Sequence, residues 1–165
     1  TPSSRQAKVD LTALLSRVGA RFALLGQRRG IEVICAVPDD PVWVACPPVL
    51  AEQAFANLVH NAVVYNHAGG HVAVTLEQPG SGFVVRVIDD GPGTNLSEFP
   101  RLMARTARTD DARQRNPHGS GLGLAIAGEV FRRSSFTAAF FQEEPTGLRI
   151  EIRGARVPPP QVLHD

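Results

Sequence analysis

A helical segment followed by two strands recurs three times along this chain, and that order limits the folds open to it. Helices with apolar residues at helical spacing are predicted at 9–28, 47–65 and 123–132. Two strands are predicted after each helix, at 31–37 and 42–44, at 71–77 and 83–89, and at 136–142 and 148–153, the last two couples as hairpins. Amphipathic helices and half-buried strands bury their apolar faces by packing in layers. The sequence therefore predicts an α/β fold, a two-layer sandwich of a mixed β-sheet and about three helices.

The composition is typical of a single globular domain. Of the 165 residues 43% are apolar, which is enough for a hydrophobic core. Charged residues make up 20% and sum to a net charge of +1, so no nucleic acid is expected as a partner. Cys35 and Cys46 lack metal-ligand spacing and fit a reducing compartment. No apolar run is long enough to cross a bilayer, so the chain is predicted to be cytoplasmic, alone or as part of a membrane protein.

Two asparagines lie four residues apart on the second predicted helix. Asn57, Asn61 and Tyr65 form one column along this helix. Asparagine is a poor residue for a helix interior, so two of them in register need a reason. One reading is a solvated helix face. The other is a metal site, because amide oxygens are hard, neutral ligands that suit Mg²⁺.

A second polar segment follows the strand 83–89. Asp89 ends the strand, and Asp90-Gly91-Pro92-Gly93 makes a tight turn. Such turns are common, so this segment alone can be a plain acidic strand end. Its functional reading is a base-binding site, in which Gly91 and Gly93 let the backbone approach a ligand.

The third segment is glycine-rich and runs into the last helix. It reads Gly119-Ser120-Gly121-Leu122-Gly123-Leu124. No strand leads directly into it and no glycine follows at the required place, so it is not a dinucleotide fingerprint. The free N–H groups and positive dipole end of a helix N-terminus attract anions. The alternative is a flexible hinge before an ordinary helix, although a nucleotide lid also needs a hinge.

A long loop with five arginines lies between the second and third segments. The range 94–118 has little periodicity, and we expect it to be partly helical and mobile. It can be a solvated basic loop. Because it directly precedes an anion-binding segment, we expect one or two arginines to contact phosphate, with Arg105 and Arg108 as the candidates.

In this order, the three segments resemble the N, G1 and G2 boxes of the ATP-binding catalytic domain of bacterial two-component sensor histidine kinases. Their superfamily includes the gyrase, Hsp90 and MutL ATPases. The resemblance covers 9–153 and implies a Bergerat-type ATP-binding fold. It makes 1–8 a linker or the end of an upstream helical dimerisation domain, and 154–165 a Pro-rich C-terminal tail.

The resemblance also implies roles for individual residues. Asn61 would bind Mg²⁺ with Asn57 supporting the metal or the phosphates, and Asp89 would accept a hydrogen bond from the adenine amino group. Asp90 falls on a variable position and is expected to face elsewhere. The implied ATP-binding residues are Asn57, Asn61, Tyr65, Asp89, Gly91, Gly93, Arg105, Arg108, Gly119, Gly121, Leu122, Gly123 and Leu124.

Two departures from the family pattern bear on activity. Val64 stands where the family usually has a lysine or arginine that reaches toward phosphate. The segment 102–108 stands where two aromatic residues of an F box are expected. These departures favour, as an alternative, a catalytically weak or inactive nucleotide-binding regulatory module.

The phospho-accepting histidine of a sensor kinase has no match in this chain. Such a histidine is typically followed by an acid within a long helix. None of the five histidines fits: they are His60, His67, His71, His118 and His164. The resemblance thus implies a catalytic fragment that donates phosphate to a histidine-bearing dimerisation domain of the same parent, with a response regulator downstream. The fragment alone is expected to be monomeric, and the parent to be an inner-membrane sensor.

Hydrolytic and serine-directed relatives, such as gyrase-like ATPases and anti-sigma-factor kinases, remain a less favoured alternative. They carry a general-base glutamate four residues before the metal-binding asparagine. This chain has Asn57 at that place, and an amide cannot take a proton at neutral pH. Glu52 lies too far along the helix to replace it. An imidazole acceptor needs no such base, so histidine is the favoured acceptor.

Overall fold

The computed structural model describes residues 6–92, 101, 103–104 and 121–162. The helices with defined bounds are α1 (Leu11–Arg29), α2 (Pro48–Val64) and α3 (Gly121–Arg133), and Arg101, Met103 and Ala104 are also helical. The strands are β1 (Lys8–Asp10), β2 (Glu32–Ala36), β3 (Trp43–Ala45), β4 (His71–Glu77), β5 (Gly82–Asp89), β6 (Thr137–Gln142) and β7 (Leu148–Ala155).

Five strands form the main sheet, in the order β2-β4-β5-β7-β6. β2 and β4 are parallel, and the other neighbours are antiparallel. The helices and the sheet share one core, in which the rings of Phe55 on α2 and Phe131 on α3 lie 5.1 Å apart. Buried sheet residues such as Val74, Val85 and Ile152 complete it. The predicted α/β sandwich of a mixed sheet and three helices is confirmed.

β1 and β3 form a small separate sheet that the sequence did not predict. Val9 lies opposite Val44 in this antiparallel pair. The first helix was expected to begin at Val9, but it begins at Leu11. The reason is a side-chain cap, because the Asp10 carboxylate accepts a hydrogen bond from the Thr12 N–H at 3.0 Å. Val9 is therefore free to pair as a strand residue.

The helix ends carry local signals that agree with the sequence. Gly30 ends α1 in the left-handed conformation at φ 73°, a backbone geometry that glycine adopts without strain. Pro47 precedes α2 and Pro48 is its first residue, where the missing proline N–H costs no helical hydrogen bond. Tyr65 caps the other end of α2. These signals fix the length and direction of the helix that carries Asn57 and Asn61.

The two ends of the described chain meet beside the small sheet. β7 runs two residues beyond its predicted end at 153. The Val157 N–H then donates to the Trp43 carbonyl at 2.9 Å, and Lys8 Nζ donates to the Pro158 carbonyl at 2.9 Å. Within the described ranges, no helix is both long and apolar enough to cross a membrane.

Candidate functional site

Helix α2 presents its two asparagines beside an apolar face that packs in the core. The buried residues of that face include Ala54, Phe55, Leu58, Val59, Ala62 and Val63. Asn57 Nδ2 donates to the Gly123 carbonyl oxygen of α3 at 3.1 Å. This hydrogen bond joins the first predicted motif to the third. The N-terminal turn of α3 therefore lies beside the asparagine column of α2.

Asn61 is buried, with 8% of its surface exposed, and is polar where its neighbours are apolar. Its Nδ2 has no hydrogen-bond partner among the described residues. A buried amide nitrogen left without a partner costs about 1–3 kcal/mol, so such a group has room for a water, a ligand or an ion as its partner. Rotating the amide presents either its oxygen to a cation or its nitrogen to a phosphate oxygen. Asn61 therefore fits a site for a metal-bound phosphate.

No group of three or more His, Cys, Asp or Glu side chains that could hold a metal occurs within the described ranges. A cation beside Asn61 can take the amide oxygen together with oxygens that its ligand supplies. Mg²⁺ commonly binds in this way, with few protein ligands and with phosphate oxygens.

Asp89 lies at the end of β5, in the middle of the main sheet. Its Oδ1 accepts a hydrogen bond from the Gly91 N–H at 2.9 Å. Burial raises the pKa of this carboxyl, and hydrogen bonds from the backbone of Gly91 and Leu148 offset the rise only in part. A half-buried carboxylate of this kind is suited to accept a hydrogen bond from a ligand.

Asp90 is held by Asn66, which follows α2, and by His71, which begins β4. Its Oδ1 accepts from the His71 N–H at 2.6 Å and from Asn66 Nδ2 at 3.3 Å, and its Oδ2 lies 2.8 Å from His71 Nδ1. Sequence reasoning missed the parts that Asn66 and His71 play. The register of β4 and β5, in which Val72 lies opposite Asp89, extends to place His71 opposite Asp90 and could have indicated this pair.

The β6–β7 hairpin covers the other side of Asp89, which the sequence analysis also missed. Gly147, at φ 124°, packs its Cα against the Asp89 carbonyl so closely that a Cβ there would clash. Thr146 Oγ1 donates to the Asp90 carbonyl at 3.4 Å. No local sequence signal identifies this contact, because it depends on how the hairpin packs on β5.

Some of the remaining predicted site residues are described by the structure, and others lie outside the described ranges. Tyr65 is 46% exposed at the end of α2, and Leu124 is buried in the core with 2% exposed. Gly121 and Leu122 begin α3. Gly93, Arg105, Arg108 and Gly119 lie outside the described residues. Val64 is half-buried as the last residue of α2.

His60 and Glu52 also lie on α2, and both are engaged by other residues. A hydrogen bond joins the side chains of His60 and Asn61. The His60 ring packs against Phe22 with 5.9 Å between ring centroids, and burial lowers the pKa of His60. The Glu52 carboxylate pairs with Arg17 of α1 at 3.2 Å. Neither residue replaces the carboxylate that position 57 lacks.

Comparison with known proteins identifies similar chains. Residues 47–157 match the family model of histidine kinase-, DNA gyrase B- and HSP90-like ATPases. The sensor-like histidine kinase SenX3 of Mycobacterium tuberculosis H37Rv is 32% identical over 139 residues, which are 84% of this chain and 34% of that protein. The sensor histidine kinase CusS of Escherichia coli K12 is 35% identical over 124 residues, 74% of this chain and 25% of that protein. The chain thus spans about a third or less of the length of these relatives.

Solved structures agree in fold. The mycobacterial sensor histidine kinase MprB superposes with a TM-score of 0.73 at 25% identity, covering 93% of this chain and 99% of that chain. Full-length ShkA, solved in complex with AMPPNP, superposes with a TM-score of 0.72 at 25% identity, covering 91% of this chain and 31% of that chain.

Proposed function

Since this chain belongs to the family of histidine kinase-, DNA gyrase B- and HSP90-like ATPases, we propose that it binds Mg-ATP and donates the γ-phosphate to a histidine on a separate dimerisation domain. Its relatives named above are sensor histidine kinases, so the acceptor domain and a response regulator are the partners we propose for it. In this role the chain is the phosphate-donating part of a two-component sensor.

The observation that carries the proposal is the pair of amides on α2. Asn57 contacts the first turn of α3, and Asn61 is buried with an unpaired amide nitrogen in the described part of the chain. Eight residues of helix separate Asn57 from Tyr65, a span of about 12 Å. A nucleotide lying along α2 would thus have its phosphates near Asn57 and Asn61 and its base near Tyr65 and Asp89.

Each site residue has a distinct task in this arrangement. Asp89 would accept a hydrogen bond from the adenine amino group, and the N-terminal turn of α3 would donate backbone N–H groups to the phosphates. Asn61 would hold Mg²⁺ with support from Asn57. The metal ion, when bound, neutralises charge on the phosphates. The chain's own contribution is to position the γ-phosphate, and the described residues of α2 place an amide rather than a general base at position 57.

The absence of a carboxylate at position 57 favours histidine over water or serine as the acceptor. A water or a serine hydroxyl needs a base to remove its proton, whereas a neutral imidazole nitrogen is already nucleophilic. Asn57 donates its amide N–H to Gly123, and Glu52 is engaged by Arg17. We therefore expect weak ATP hydrolysis by this chain alone.

A first test is equilibrium binding of Mg-ATP by titration calorimetry, with Asn61→Ala as the informative variant. We expect this substitution to lower the Mg-dependent affinity roughly tenfold or more. The melting temperature of the variant is measured alongside, because the substitution also removes the side-chain hydrogen bond between Asn61 and His60. Gln53→Ala removes an exposed amide one turn before Asn57 and is the matched control. Absence of binding by the unmodified chain at millimolar nucleotide would contradict the proposal, and equal affinities for Asn61→Ala and the control would contradict the metal assignment.

One observation favours a second candidate, a regulatory nucleotide-binding module without transfer. Val64 supplies no positive charge at the end of α2. The two candidates differ in phosphate transfer to a histidine-bearing dimerisation domain, in the same polypeptide or added in trans. Acid-labile label from γ-labelled ATP on that histidine supports the kinase, and binding without any label supports the regulatory module.

A further inference from the structure

Three elements meet at the carboxylate of Asp90, immediately beside the proposed base-reading residue. His71 begins β4, Asn66 follows the end of α2, and Asp90 follows β5. Both carboxylate oxygens are engaged, by the His71 N–H and ring at 2.6 and 2.8 Å and by the Asn66 amide at 3.3 Å. A plain turn needs far fewer contacts to its acidic residue.

The backbone of Asp90 is also held, by hydrogen bonds longer than the shortest ones to its side chain. Its N–H donates to the His71 carbonyl at 3.3 Å. Its carbonyl oxygen lies 3.3 Å from His67 Nε2 and accepts from Thr146 Oγ1 at 3.4 Å. Asp90 stands between Asp89 and Gly91 in the chain. These contacts therefore fix the backbone that positions the Asp89 carboxylate and the Gly91 N–H.

We propose that Asp90, held by His71 and Asn66, is a positioning residue that sets the geometry of Asp89 and Gly91 for selection of an adenine base. This inference rests on the proposed function and deepens it. Asp90 itself contacts no nucleotide. It acts on base selection by holding Asp89 in one place, since a hydrogen-bond acceptor discriminates between bases only when it cannot move to suit the wrong one.

Charge strengthens this arrangement in a way that depends on pH. The hydrogen bond and charge of Asp90, with a smaller effect of Glu32 at 3.7 Å, raise the pKa of His71. Burial opposes ionisation of Asp90, but hydrogen bonds from His71 and Asn66 lower the pKa of Asp90 overall. The charged groups that face His71 are thus Asp90 from the end of β5 and Glu32 from β2, and the His67 ring lies against the same Asp90 backbone.

The sign of the effect follows from the raised pKa of His71. The contribution of the ion pair is fully present below the ordinary histidine value of 6.5 and is lost as the pH rises through the raised value. Adenine selection should therefore weaken at alkaline pH in the unmodified protein. In a variant whose residue 71 cannot ionise, adenine selection should not show this decrease with rising pH.

The experiment measures affinities for Mg-ATP and Mg-GTP by displacement of a fluorescent ATP analogue, at about pH 6 and about pH 8.5. Asp90→Ala should lower the ATP affinity about tenfold and reduce the preference for ATP over GTP. His71→Gln should lower the ATP affinity about threefold at the acidic pH and have a smaller effect at the alkaline pH. Asp39→Ala, at an exposed turn carboxylate, is the matched control and should have no effect.

The outcomes separate this inference from the function on which it rests. Because the nucleotides themselves titrate, the quantity compared is the ratio of unmodified to His71→Gln affinity. If the unmodified protein fails to bind Mg-ATP, the proposed function is wrong and this inference falls with it. If it binds, an equal ratio at both pH values, or an unchanged ATP preference in folded Asp90→Ala, overturns the positioning role alone. Should Asp90→Ala not fold, the pH profile of His71→Gln decides.

Discussion

At the scale of single residues, Asp89 carries a charge that its surroundings disfavour. Burial raises the pKa of its carboxyl despite two backbone hydrogen bonds. The folded state therefore keeps a proton on Asp89 to a higher pH than the unfolded chain does. The ionised form lowers the free energy of unfolding at neutral pH, and this cost disappears as the pH falls through the raised pKa. A residue that costs stability in this way is typical of a binding site.

Asp89→Asn should thus separate stability from binding. We expect the free energy of unfolding at about pH 7 to stay equal or to rise, because the ionised carboxylate is removed. The affinity for Mg-ATP should fall roughly tenfold or more, with a smaller loss for Mg-GTP. Urea unfolding and nucleotide titration measure the two quantities, with Asp39→Asn as control. A destabilised variant with full ATP affinity would show that Asp89 is a structural residue.

At the scale of elements, the β6–β7 hairpin closes on the end of β5. Asp89 pairs with Leu148, the first residue of β7, and Gly147 lies just before it. The backbone at Gly147 has φ 124°, a region that residues with a Cβ rarely adopt. The hairpin can approach the Asp89 carbonyl only because residue 147 has no side chain.

Gly147→Ala is predicted to destabilise the protein by on the order of 2–3 kcal/mol, because it combines backbone strain with a clash against Asp89. Gly80→Ala is the matched control, since Gly80 has φ 57° but no atom within 4 Å of an added Cβ. It should cost about 1 kcal/mol, from the backbone alone. Urea unfolding gives both values. Equal losses for the two variants would argue against the clash, and Gly147→Ala alone should also weaken ATP binding.

Some of the secondary-structure elements and site contacts can be predicted from the sequence, and others cannot. The apolar patterns of 71–77 and 83–89 predict β4 and β5 to within one residue, because buried residues alternate along β4 and apolar residues predominate along β5. β1 was missed because three residues carry little pattern and form a strand only by pairing with β3. Asn57 and Asn61 stand out locally as amides inside a helix. Asn66, His71 and Gly147 do not, because their contacts depend on register and on the packing of a distant hairpin.

At the scale of the whole molecule, the main sheet is held across its strands by charge as well as by its core. Glu151 on β7 is buried, with 6% exposed, and its carboxylate bonds Arg86 of β5 at 2.8 Å and Arg153 at 3.0 Å. Arg86 also reaches Glu77 of β4 at 2.7 Å. Three strands are thus linked by one network. Hydrogen bonds from the two arginines lower the pKa of Glu151, although burial opposes this.

Glu151→Gln should lower the free energy of unfolding at about pH 7 by about 2 kcal/mol, because it removes the buried carboxylate that pairs with Arg86, Arg153 and, at 3.5 Å, Arg149. The contribution of Glu151 is present above its ordinary pKa of 4.5 and is lost as the pH falls through the lowered value. The difference between variant and unmodified protein should therefore shrink in acid. Glu77→Gln removes a carboxylate whose side chain is 61% exposed, so it should lower the free energy of unfolding by less than Glu151→Gln does. Urea unfolding at several pH values tests this, and equal effects of the two variants would contradict it.

The hydrogen bond between Lys8 and the Pro158 carbonyl brings the first strand and the segment after the last strand close together. A short linker can therefore join Pro158 to Lys8, and new ends can be opened in the exposed turn at Gly80, as in circular permutants of other domains. Asn57, Asp89 and Gly123 would keep their places, since none lies near either the joint or the cut along the chain. The site residues would then occur in a different order along the chain but in the same places in the fold. A fused domain could be attached at either new terminus.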